Sequence, residues 1–227
     1  MPFDPEVTLD KRVALARQYI GVGDWENAKR NLELAETADP NNAEVFEALG
    51  LVYQSRGEFE MAENQFHAAL KAEPTLCRAR NNFAAFLYFQ GRYIEAELEF
   101  YRATEDTLFS GRPMTFLNLG LCRLQLEGDA GAEAAFTRAL SMDRRNPVAL
   151  LEMGFLRLEA GDTNEAARYH GTHRTVSPQQ SPRGLLLSLE IAAQTGDQDP
   201  LGSYELALRN LYSASLEYRA WMERQSR

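Results

Sequence analysis

The stretch F-E-A-L-G-L-V-Y-Q-S-R-G-E-F-E-M-A-E-N-Q-F-H-A-A-L-K-A-E-P, Phe46 to Pro74, decides the fold. Apolar residues recur at helical spacing on both sides of Gly57, so the stretch reads as two helices joined by a tight turn. Small residues stand at Gly50 and Ala62, where two antiparallel helices must approach closely. Phe46, Tyr53 and Phe66 are bulky enough to fill the space between one hairpin and the next. Gly57 ends the first helix, and Pro74 falls in the turn before the following hairpin.

With Ala43 as position 1, Phe46, Leu49, Gly50, Tyr53, Gly57, Ala62, Phe66, Ala69 and Pro74 occupy positions 4, 7, 8, 11, 15, 20, 24, 27 and 32. That is the 34-residue tetratricopeptide signature. The register returns along the chain. Repeat one runs from Leu9 to Asn42, with Leu15, Ala16, Tyr19, Gly23, Ala28, Leu32, Ala35 and Pro40 in place, and Asp24 as the N-cap of its second helix. Repeat two is Ala43 to Leu76, and repeat three is Cys77 to Ser110. Leu108 replaces the proline of repeat three, and Gly111 and Arg112 are inserted, which predicts a lengthened corner. Repeat four is Pro113 to Asn146. In repeat five, Pro147 to Gln180, His170 and His173 stand where an aromatic residue and an alanine are usual. With Gly171 beside them, they predict an irregular second helix. A sixth, degenerate hairpin covers 181–214: an apolar helix to Thr195, a loop from Asp197 to Gly202 and a return helix from Tyr204 to Tyr212. A short helix over 215–224 closes the chain. The expected fold is all-α, a single domain over 1–227 with about thirteen helices and no strands. It is a right-handed superhelical solenoid of six hairpins. Met1 to Thr8, polar and holding Pro2 and Pro5, is expected to be loose.

Net charge is -9, and the N-terminal third is the acidic part: Met1 to Leu76 holds 14 acidic and 7 basic groups. Such a surface excludes nucleic acid as a partner. Cys77 and Cys122 sit at different heights on neighbouring helices, roughly 13 Å apart along the axis at 1.5 Å per residue. A disulfide needs a closer approach, so two free, partly buried thiols are expected. No run of 18 apolar residues could span a bilayer, and M-P-F-D-P-E is no signal peptide. The glycines sit at repeat positions rather than in a phosphate-binding string, and the carboxylates are scattered over solvated faces. His170 and His173 have helical metal-ligand spacing but no third ligand nearby in sequence. These features predict no enzyme activity, no cofactor, no metal and no small-molecule substrate.

The work of such an array is recognition. Positions 2, 5, 9, 12 and 13 of each repeat face the concave side. They supply the candidate protein-binding residues Arg17, Arg78, Asn81, Tyr88, Phe89, Leu117, Leu121, Leu124, Phe155 and Leu158. In one reading a partner helix or extended segment lies on this apolar strip, with the arginines setting orientation. In the other, the face is buried by the array itself. Glu44 and Glu47 stand where a bound carboxylate would need to sit, which argues against capture of a chaperone-type C-terminus.

The run G-R-Y-I-E-A-E-L-E-F-Y-R-A-T-E-D-T-L-F, Gly91 to Phe109, resembles the type IV pilus biogenesis lipoproteins of the PilF and PilW kind. So do Phe116 to Cys122, Ser181 to Ala192 and Ser203 to Tyr218, and the resemblance covers nearly the whole chain. It implies a six-repeat helical lipoprotein on the periplasmic face of the Gram-negative outer membrane. The implied role is that of a pilotin or assembly factor, which helps the pilus secretin reach that membrane and form its ring. The implied partner is that secretin or another pilus assembly protein. Membrane attachment would come only through an N-terminal acylated cysteine, absent from this chain. A free monomer is expected. Some members carry a cysteine pair in repeats three and four; Cys122 matches one position and Tyr88 stands at the other, so that bridge is absent. The alternative is a tetratricopeptide adaptor for another bacterial protein, in cytoplasm or periplasm.

Overall fold

The computed structural model describes residues 5–126 and 128–225. These form thirteen α-helices, with no strand among the described residues. They fall into two compact units, Met1–Leu126 and Glu127–Arg227.

The first unit holds α1 (Pro5–Gly21), α2 (Trp25–Ala38), α3 (Ala43–Ser55), α4 (Phe59–Ala72), α5 (Cys77–Phe89), α6 (Tyr93–Ala103) and α7 (Arg112–Gln125). Helices α1 to α6 form three hairpins, and α1, α3, α5 and α7 follow one another in contact. Polar caps set the helix starts. Asp24 Oδ1 accepts from the Asn27 N–H at 3.2 Å, and Asn42 Oδ1 accepts from the Glu44 and Val45 N–H groups at 3.1 Å. Gly57 turns the chain between α3 and α4 at φ +76°, a left-handed conformation costly to any residue with a Cβ. Gly50 serves packing instead: a Cβ there would lie 2.8 Å from the Phe66 ring. That ring is fully buried and packs on Phe83 and Phe86, with centroids at 5.8 and 5.7 Å.

Two expectations change in this unit. Helix α1 starts at Pro5, so the loose leader is shorter than expected; residues 1–4 lie outside the described ones. Proline is well tolerated in a first helical turn, which is why it does not delay this helix. The lengthened corner is as the slipped period predicts. It runs between α6 and α7, braced by Arg112 Nε donating to the Thr104 carbonyl at 2.8 Å and by Asp106 Oδ1 accepting from the Leu108 N–H at 2.8 Å. Both cysteines are free, Cys77 half-buried and Cys122 fully buried. Burial pushes the Cys122 thiol up to about 11, so it is an inert core residue.

The second unit holds α8 (Asp129–Met142), α9 (Pro147–Glu159), α10 (Thr163–Val176), α11 (Pro182–Thr195), α12 (Gln198–Tyr212) and α13 (Leu216–Gln225). Helix α11 is its centre and packs on α9, α10, α12 and α13. Leu185, Leu186 and Leu189 meet Leu208 and Trp221, while Leu187 meets Leu151, Leu158 and Ala166. Two expectations are overturned. Helix α10 is regular over all 14 residues, because His170 and His173 are buried against α11 and tertiary packing overrides weak local propensity. The loop expected from Asp197 to Gly202 shrinks to Gly196 and Asp197, because α12 already starts at Gln198. Pro200 lies in its first turn, where a missing N–H breaks no helical bond.

Candidate protein-binding surfaces

In the first unit, the candidate residues gather in two places. One is a charged network joining α1, α3 and α5. Glu47 is fully buried. Its Oε2 lies 2.6 Å from Arg17 Nη2 and 3.5 Å from Arg78 Nε, and its Oε1 accepts from Asn82 Nδ2 at 2.5 Å. Glu44 lies 3.5 Å from Arg17 and 3.0 Å from Arg78. The Arg78 contacts are ionic, without hydrogen-bond alignment. Thus Glu47 is a neutralised core carboxylate and not the exposed acid that its repeat position suggests. The two arginines border a cavity of about 510 Å³ with Asp10, Val13, Ala14, Asn42, Ala43, Glu44 and Glu73. Its lining is acidic on balance.

The second place is an apolar hollow of about 190 Å³ formed by Ala85, Tyr88, Phe89, Phe100, Asn118 and Leu121. Phe89 ends α5 and is 75% exposed. Tyr88 meets it edge-on at 5.9 Å and also meets Tyr93 at 5.3 Å, so the rim is made of interlocked rings. Asn81 lies outside this lining: its Oδ1 accepts from the Thr115 hydroxyl at 3.0 Å. Leu121 and Leu124 are half-buried. Leu117 is a core residue at 4% exposure and offers a partner little surface.

In the second unit, Phe155 is half-buried between two leucine clusters, with the Arg183 guanidinium 4.5 Å over its ring. Glu152 holds that guanidinium in a bidentate pair at 2.7 and 2.6 Å. Leu158 is 3% exposed and belongs to the core. The exposed apolar part of the candidate list is therefore concentrated around Phe89 and Leu121.

Sequence reasoning missed one surface. Ile94, Leu98 and Tyr101 form an i, i+4, i+7 stripe on α6, exposed at 75, 49 and 52%. Its signal was available: the equivalent positions are Glu26, Arg30 and Glu33 in repeat one and Glu60, Asn64 and His67 in repeat two. Only repeat three replaces that polar triplet by three large apolar residues. Among the described residues, no three histidine, cysteine or carboxylate groups gather to hold a metal, and no helix is long and apolar enough to cross a membrane.

No family model matches the sequence. The chain is 35% identical over 210 residues to the type IV pilus assembly protein PilF of Pseudomonas aeruginosa, covering 92% of this chain and 83% of that protein. It superimposes on the Pseudomonas aeruginosa PilF structure with a TM-score of 0.91 at 33% identity, over 97% of this chain and 99% of that one. The structure of PilW, a widely conserved type IV pilus biogenesis factor, matches with a TM-score of 0.80 at 25% identity, over 94 and 98% of the two chains. YrrB, a tetratricopeptide protein, shares the fold alone, with a TM-score of 0.68 at 15% identity. Identity at this level over 92% of this chain and 83% of the relative, together with a TM-score of 0.91, means that the chain belongs to the PilF family of type IV pilus assembly proteins.

Proposed function

We propose that the chain is a non-enzymatic scaffold for type IV pilus biogenesis, a pilotin that binds the pilus secretin and promotes its delivery to the outer membrane and its multimerisation. The observation that carries this reading is the end-to-end likeness to PilF in sequence and fold. The partner is a protein, and the working location is the periplasmic side of the outer membrane. The finer part of the proposal is an acylated N-terminal cysteine as anchor, which a lipobox upstream in the gene would establish.

The hollow around Phe89 and Leu121 suits an apolar side chain of a partner segment. It is small, lined by rings that lose little entropy on binding, and bordered by the Asn118 amide for orientation. The charged network formed by Arg17, Arg78 and Asn82 with Glu44 and Glu47 would orient the segment rather than supply bulk affinity. The α6 stripe supports a second reading, in which the secretin segment lies across Ile94, Leu98 and Tyr101.

A pull-down from outer-membrane extract of the source organism separates the two. The wild-type chain should recover the secretin. Phe89→Asp combined with Leu121→Asp should abolish recovery with helical content unchanged, while Ile94→Asp with Leu98→Asp should not. The reverse pattern moves the site to α6. Secretin absent from the wild-type eluate overturns the proposal. Phe155→Asp is a poor probe, because that ring supports two core clusters.

A further inference from the structure

The second unit contains a polar cavity that the scaffold role does not use. It has a volume of about 240 Å³ and lies between the end of α10, the link Ser177–Gln180 and the first turn of α11. His170, His173, Arg174, Ser188 and Gly184 line it, with the two glutamines of the link. His170 is satisfied: its Nε2 lies 3.0 Å from Ser188 Oγ, and Ser188 donates its own proton to the Gly184 carbonyl at 3.0 Å. His173 is not. Its side chain is only 6% exposed, yet Nδ1 is buried without a hydrogen-bond partner. A native structure seldom leaves such an atom unpaired.

Three features set the charge that this cavity accepts. No carboxylate lines it. Arg174 is exposed, and its one hydrogen bond is a long one of 3.4 Å to the Tyr204 hydroxyl, with no ion pair among the described residues. Gly184 and Leu185 bring the first turn of α11 to the wall; the Gly184 N–H is taken by Ser181 Oγ at 3.1 Å and the Leu185 N–H by the Ser181 carbonyl at 2.9 Å, so this turn contributes the positive end of the helix dipole and no free donor. The C-terminal end of α10 opposes this; there the Ser177 N–H caps the His173 carbonyl at 2.8 Å. A neighbouring cavity of similar size shares His170, Arg174 and Ser188 but includes Asp197, so an anion belongs in the first of the two.

We propose that this cavity is a binding site for a carboxylate group, held by the His173 imidazole and the Arg174 guanidinium beside the positive end of the α11 dipole. The site takes either a free small dicarboxylate or an acidic side chain of a polypeptide; the volume is too small for a larger ligand. Nδ1–H of neutral His173 donates one hydrogen bond and Arg174 supplies a charge-assisted one.

The test follows the histidine ring resonances of the full chain by ¹⁵N NMR at pH 7.5. Sodium succinate is titrated against sodium chloride at equal ionic strength, and a capped Gly-Asp-Gly-Glu-Gly peptide is titrated in parallel. Saturable movement of the His173 signals by either probe is expected, and the tighter probe identifies the source. Arg174→Met, at an exposed position that leaves the fold intact, should raise Kd about tenfold or more. His173→Ala, which restores the residue usual at that repeat position, should remove binding while far-UV circular dichroism stays the same. The site is overturned by no saturable movement with either probe, or by unchanged affinity in Arg174→Met.

Discussion

At the scale of single residues, His170 shows how burial converts a surface-type residue into a pH-dependent strut. Burial, followed by the nearby His173 and Arg174, lowers its pKa from 6.5 to about 4. Above pH 6.5 neither the folded nor the unfolded chain holds the proton. As pH falls, the unfolded chain takes it up first, so the native state loses stability between pH 6.5 and about 4. At about 1.4 kcal/mol per pH unit this amounts to about 3 kcal/mol. Burial lowers His173 in the same direction and adds to the loss. His170→Phe restores the aromatic residue usual at that repeat position and leaves the bond from Ser188 to Gly184 in place. Its stability, read from urea unfolding between pH 7.5 and 4, should fall less steeply than that of the wild type. An equal slope would show that other groups carry the acid limb. The sequence signalled these histidines as departures from the repeat. It could not signal their burial, which depends on a helix eighteen residues further on.

At the scale of helices and hairpins, the repeat positions were legible because each encodes a local requirement. Gly57 needs a left-handed backbone, Asp24 needs an acceptor for a first-turn N–H, and Gly50 needs empty space. Helix α10 and the start of α12 were misread because the local signals there, Gly171 and Pro200, are weak against the apolar surface of α11. The Gly50 requirement is the most exposed to test. A methyl group at 2.8 Å from the Phe66 ring must displace a fully buried aromatic that also packs on Phe83 and Phe86. Gly50→Ala should therefore cost about 1–3 kcal/mol through overpacking, despite the better helix propensity of alanine. At Gly171, where an added Cβ meets nothing within 4 Å, the same change should stabilise by about 0.5–1 kcal/mol. Urea midpoints of the two variants should move in opposite directions. A neutral Gly50→Ala would mean that the α3–α4 hairpin is looser than its contacts indicate.

At the scale of the molecule, the return of one sequence register along the chain made the helical array readable, because an error in one repeat is corrected by the next. The candidate surface was readable only in part. A repeat position specifies a helix face, but exposure depends on what neighbouring hairpins place opposite it, and that is why Leu117 and Leu158 proved to be core residues. Glu47 is the sharpest case, since one carboxylate from α3 draws together Arg17 from α1 and Arg78 and Asn82 from α5. A side chain that ties three successive hairpins should act beyond its own helix. Glu47→Ala leaves Arg17 and Arg78 with Glu44 alone and Asn82 without its acceptor, and should destabilise by about 1–3 kcal/mol. In a solenoid, stability is a sum of repeat and nearest-neighbour contributions, so the loss should be regional. Native-state hydrogen exchange should show faster opening of α1 to α5, while the amides of α11 and α12 keep their protection. Glu47→Gln retains an acceptor for Asn82 and should lose less. Uniform loss of protection across all thirteen helices would instead make the chain one cooperative unit, with the Glu47 network stabilising a fold that opens only as a whole.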